Sequence, residues 1–121
     1  MCDQTHAITM RQPSPEYVIL DLCGFVNASF ARSFEVISGS LHNLVAPNVV
    51  INFSGVKGID GLGLKHLLVF CTIMRKLNRK LAAYGVNQEL RQIFSLMRLD
   101  NLLRTCENEY QALGLMDGSD G

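Results

Sequence analysis

Apolar positions along the chain recur with two different periods, and each change of period marks the boundary of an element. HAITMR, residues 6–11, predicts a short strand, and the following QPSPE supplies two prolines and a serine for a turn. YVILDLCG, residues 17–24, is rich in β-branched and aromatic residues and closes on glycine, so it reads as a second strand, antiparallel to the first at one end of a sheet. From Asn27 the pattern becomes helical. Phe30, Phe34, Ile37, Leu41 and Leu44 draw one apolar stripe, Asn27 or Ser29 can cap it, and Ala-Pro-Asn at 46–48 ends the connection. VVINF, residues 49–53, is continuously apolar, as expected of a central strand covered on both faces.

After the glycine-rich GIDGLG, residues 58–63, a second amphipathic helix carries Leu64, Leu67, Leu68, Cys71, Met74 and Leu77 on one face and Lys65, Arg75 and Lys76 on the other. KLAAYGV, residues 80–86, returns as a strand. Asn87 can cap a third helix, QELRQIFSLMR, with Leu90, Ile93, Phe94 and Met97 on one side. LLRTC, residues 102–106, reads as a last short strand, ENEYQALGLM as a terminal helix, and DGSDG, residues 117–121, as a frayed tail. The order β, β, α, β, α, β, α, β, α predicts an α/β fold with a mostly parallel sheet of four to five strands, about four helices and an antiparallel N-terminal hairpin, in a single domain over residues 1–116.

Composition narrows the classes of function. The 121 residues suffice for one core, and 48% apolar with 18% charged residues is a globular balance. Eleven lysines and arginines match eleven aspartates and glutamates, so there is no global basic field and no direct nucleic-acid partner is expected. The N-terminus lacks the pattern of a signal peptide, and every apolar run falls far short of the roughly 20 residues a membrane span requires, so the expectation is a cytoplasmic protein without membrane insertion. Cys2, Cys23, Cys71 and Cys106 form no CxxC pair. No metal site is expected, and Cys23 and Cys71 read as small buried hydrophobes in a reducing compartment.

The glycine turn is the least ordinary feature. Exposed amides at a strand-to-helix turn attract phosphate, yet no GK[ST] follows, Lys65 is out of register for a nucleotide phosphate, and GxGxxG is missing. Asp60 has a local role, accepting the amide hydrogens of Leu62 or Gly63 and capping the helix. His66 lies one turn into that helix among leucines and reads as a surface residue, while His6 and His42 stand alone. No nucleophile sits in an elbow such as GxSxG, so no enzyme and no cofactor are expected. Gly61 and Gly63 leave Leu62 without neighbouring side chains. It either offers an isolated apolar contact or turns inward and packs, and the pattern leaves both open.

VVINFSGVKGIDGLGLKHLL resembles the central motif of STAS domains, the anti-sigma factor antagonists, in which an apolar strand ending in Asp-Leu-Ser leads through an Asp-Ser-Ser-Gly-Leu or Asp-Ser-Thr-Gly-Leu turn into a helix. GFVNA, residues 24–28, is similar to the family's Gly-x-Leu-Asp-Ala, and QIFSLMRLDNLL, residues 92–103, to its segment before the last strand. The resemblance implies a regulatory protein that binds a switch-type serine kinase, itself an anti-sigma factor, and is released when the second hydroxyl residue after the aspartate is phosphorylated. On that correspondence Leu62 stands at the phosphoserine position, Gly61 at the first hydroxyl position, and Gly63 and Leu64 at the Gly-Leu. Neither residue 61 nor 62 carries a hydroxyl. Asn27 and Asn52 stand where the family usually has aspartates, two charges that a site no longer accepting phosphate would not need. Ser54 matches a structural serine.

The leading expectation is therefore a STAS module that binds its protein partner without a phosphate release step, through Gly58, Ile59, Asp60, Gly61, Leu62, Gly63, Lys65 and His66, joined by Asn27 and Ser29. A fully buried leucine at position 62 would contribute about 2 kcal/mol. An accessory STAS subunit of a lipid-exporting ABC transporter and a small-ligand or nucleotide sensor are the alternatives. A weak homodimer is compatible with each.

Overall fold

The computed structural model describes residues 8–42 and 48–116. Leu44, Cys2, His6 and the 117–121 tail lie outside the described residues, as do the opening of the first expected strand and most of the Ala-Pro-Asn connection. In chain order the elements are β1 (Ile8–Ser14), β2 (Tyr17–Val26), α1 (Phe30–His42), β3 (Asn48–Ile59), α2 (Gly61–Lys76), β4 (Leu81–Tyr84), α3 (Gln88–Leu96), a 3-10 turn (Leu99–Asn101), β5 (Arg104–Cys106) and α4 (Glu109–Met116).

The five strands lie in the order β1-β2-β3-β4-β5, with β1 antiparallel to β2 and all later pairs parallel. A right-handed crossover that always steps in the same direction across a sheet always returns over the same face. Thus α1, α2 and α3 share one face. There Phe30, Phe34, Leu67, Phe70, Leu90 and Phe94 pack on Val18, Leu20, Val49, Ile51 and Phe53 in the main core. The opposite face carries Ile19, Val50, Ala82, Tyr84 and Cys106, and α4 covers it through Ala112. Central β3 is covered on both faces, and Val49, Val50 and Ile51 have no exposed surface.

Several boundaries move from their expected positions for identifiable reasons. β1 extends through Gln12 and Pro13 to Ser14, because it is an edge strand and a proline there removes no ladder donor. β2 passes through Gly24, at φ +91°, and reaches Val26 by way of two register shifts against β3. β3 continues beyond VVINF to Ile59, which pairs with Val26, so Gly58 and Ile59 are strand residues rather than part of a turn. α3 stops at Leu96, and Arg98 adopts a left-handed conformation at φ 59°. Cys23 is half-buried, which corrects its expected role as a fully buried core residue. Cys71 and Cys106 are free and buried, and burial pushes the Cys71 thiol up to about 12.

Candidate functional site

The site forms where β3 ends against β2 and α2 begins. Asp60 is extended and stands at the N-cap, its Oδ1 accepting the Gly63 amide at 2.8 Å. Its backbone N–H donates to the Val26 carbonyl at 3.1 Å, which ties the start of α2 to the end of β2. The same junction fixes Gly63. A Cβ there would lie 2.1 Å from the Val26 oxygen and 2.9 Å from the Asn27 nitrogen, so only glycine lets α2 sit this close to the β2–α1 connection.

That closeness brings Asn27 and Ser29 beside the turn. Asn27 Oδ1 accepts both the Ser29 amide at 2.9 Å and the Ser29 hydroxyl at 2.7 Å, while the Asn27 carbonyl accepts from Phe30 N. Asn27 thus shapes the entry to α1. Leu62 does not turn inward: it is 53% exposed, next to Gly61, where a side chain would meet nothing within 4 Å. Lys65 is exposed and His66 half-buried in the following turn. Gly63 is buried, and Ile59 packs partly against the main core. Gly58 lies under Phe25, whose ring would come within 2.9 Å of a Cβ at that position, so the surface there belongs to Phe25, 51% exposed.

Phe25, Val69 and Ile73 were not legible as surface residues from the apolar pattern, yet all three are exposed near or along this end of α2 and β2. The signal for two of them was present. Leu62, His66, Val69 and Ile73 follow helical spacing on a side of α2 distinct from its buried stripe of Leu64, Leu67, Phe70, Cys71 and Met74.

On the opposite sheet face Asp21, Asn52 and Tyr84 stand in register across three strands. Asn52 Nδ2 donates to Asp21 Oδ1 at 2.7 Å, and Arg11 donates to the same carboxylate through Nε and Nη2. Tyr84 donates to Glu109 Oε1 at 2.6 Å, which fastens α4 to the row. Burial raises the Asp21 carboxyl, but hydrogen bonds from Arg11 and Asn52 and the Arg11 charge outweigh it and hold the group below its ordinary value. Burial and Glu109 push the Tyr84 phenol up. Asn52 is therefore a donor to a carboxylate that stands in this chain on the neighbouring strand. No group of side chains among the described residues could hold a metal ion, and no described helix is long and apolar enough to cross a membrane.

The STAS domain family model matches residues 6–112. This chain belongs to the STAS family. No curated protein matches this chain in sequence. Among solved structures it is similar to the anti-sigma factor antagonist SpoIIAA of Bacillus in its unphosphorylated form, with 14% identity, a TM-score of 0.72, and 95% of this chain and 99% of that one covered. It is also similar to a variant of Moorella thermoacetica RsbS, with 14% identity, a TM-score of 0.81 and coverage of 95% and 98%. A sulfate transporter family protein from Wolinella succinogenes gives 18% identity, a TM-score of 0.74 and 87% coverage of each chain. At these identities the likeness establishes the shared fold.

The geometry of the STAS domain's α2 cap gives a direct prediction. Replacing Asp60 by alanine leaves the Gly63 amide without its acceptor, and stability should fall by about 1 kcal/mol. Urea unfolding measures this, and an unchanged midpoint would show that the carboxylate does not cap the helix in solution.

Proposed function

We propose that this STAS domain is a regulatory protein-binding module of the anti-sigma factor antagonist kind. It docks a switch-type serine kinase or related anti-sigma factor through the 58–66 segment and the Asn27–Ser29 entry to α1, in the cytoplasm and without catalysis of its own. The observation that carries the reading is Leu62, an apolar side chain 53% exposed in the first turn of α2, beside open Gly61 and exposed Lys65. Leu62 lies outside the core cluster, and a partner that covers its exposed half gains further apolar burial. Position 62 corresponds to the family's phosphorylated hydroxyl, and leucine accepts no phosphate. Binding is therefore constitutive with respect to that switch.

Because about half of Leu62 is already covered, the area left for a partner is smaller than full burial would give. Leu62→Ala should weaken binding by about 1 kcal/mol, or several-fold. A stronger test places wild type and Leu62→Glu on parallel columns, passes soluble and detergent-extracted lysate from the native source over both, and identifies by mass spectrometry what only wild type retains. A serine kinase-like anti-sigma protein lost on the variant is the expected result. An ABC ATPase in its place would move the assignment to transporter regulation. Identical retention on both columns would remove the turn as the docking site.

A further inference from the structure

We propose that the groove between α1 and α2 seats an amphipathic helix of the partner whose apolar stripe is flanked by carboxylates. The inference rests on the reading of the turn as a docking surface and extends that surface along α2. The groove holds about 430 Å3. Its floor is Phe34 and Phe70, whose ring centroids lie 5.2 Å apart, and its walls are His66, Val69 and Ile73 from α2 with Arg32 and Glu35 from α1. Val69 is 47% and Ile73 37% exposed, and Leu62 continues the same stripe toward the turn. At a rise of about 1.5 Å per residue the stripe spans roughly 17 Å, three turns of helix.

This stripe is surplus to the fold, since α2 already buries a complete apolar face against the sheet. Both walls are helices whose backbone groups are internally paired, so an extended segment would find no ladder here. A partner must bring its own satisfied backbone and contribute side chains alone, which is the condition a helix meets. The rim sets its charge. Arg32 lines the groove, while Lys65 and Lys76 lie outside its lining and flank the exposed stripe on α2, each three residues on from Leu62 and Ile73; all three are exposed and make no ion pair among the described residues. Glu35 is the one carboxylate lining the groove, and Asp60 is committed to the Gly63 amide. Acidic flanks complement this rim and basic ones meet like charge.

The test uses two synthetic helical peptides with leucines at i, i+3, i+4 and i+7, one flanked by glutamates and the other by lysines. Binding is read by fluorescence anisotropy and by amide shifts in the full-length protein. The glutamate peptide should bind about tenfold tighter than the lysine peptide, a difference typical of rim electrostatics. Its shifts should centre on Val69 and Ile73, and the preference should reverse in an Arg32→Glu, Lys65→Glu variant. No binding of either peptide, equal binding, or shifts centred elsewhere would overturn the proposal. So would self-association of the protein abolished by Ile73→Glu, which would give the groove to a second copy. Column capture separates the two readings: a partner lost on Leu62→Glu but retained on Ile73→Glu leaves the turn as the docking site and removes the groove.

Discussion

Gly63→Ala is expected to lower stability by about 3 kcal/mol or more, near the upper end for a single methyl group. The added Cβ would stand 2.1 Å from the Val26 oxygen, 2.5 Å from the Val26 carbonyl carbon and 2.9 Å from the Asn27 nitrogen. All three are backbone atoms, so no rotamer change can make room. Relief requires α2 to lift from the β2–α1 junction, which strains two hydrogen bonds together, the one the Asp60 N–H donates to the Val26 carbonyl and the one the Gly63 N–H donates to Asp60 Oδ1. Gly61→Ala is the internal control. Its Cβ meets nothing, and alanine at an exposed helix start should be neutral or stabilising by a few tenths of a kcal/mol. Urea unfolding of both variants decides the matter, and equal midpoints would mean that the close approach of α2 is not kept in solution.

Asn52→Asp is the second large effect, and it depends on pH. In the wild type Asn52 donates to Asp21 at 2.7 Å. An aspartate there would replace a donor with a second carboxylate, and at neutral pH the loss should be about 2 kcal/mol. Like charge raises the folded-state pKa of the new pair above its unfolded value. The destabilisation is therefore complete above that raised pKa and fades as protonation neutralises one member on the way down toward pH 4. Asp21 in the wild type behaves oppositely. Its folded-state pKa is held low, so its contribution is present above the unfolded value of 3.8 and is lost as pH falls through the folded one. The stability gap between wild type and variant should thus be widest at neutral pH and narrow under mild acid. A gap that stays constant from neutral pH to pH 4 would show that the two carboxylates do not interact.

Element type and order were largely legible in the sequence, because the helices follow a clear helical period and the central strand an uninterrupted apolar run. Boundaries were not, where glycine or proline had to be weighed without knowing sheet position. Pro13 is admitted because β1 is an edge, and Gly55 and Gly58 remain in β3 because β2 pairs with it through register shifts to Ile59. The site was legible in part. The Asp60 cap follows from residue type and spacing, but whether Leu62 points inward is decided by how closely Gly63 approaches Val26, a tertiary contact. The second stripe on α2 escaped notice because Val69 and Ile73 look like ordinary core residues. Their exposure depends on α1 and α2 leaving a groove between them. The asparagine at position 52 was read as a charge no longer required, and its donation to Asp21 was visible only once β2 and β3 were in register.

The monotonic strand order has a consequence for how this chain acquires its structure during synthesis. From β2 onward each strand adds to the outer side of the one made before it, and none has to be wedged between two already joined. A nascent chain can therefore extend its sheet in the order of translation, with α1, α2 and α3 closing over the same face in turn. All the strands and helices that frame residues 58–66 precede β4 in the chain, so the order of synthesis allows the proposed docking surface to form while the C-terminal third is still being made.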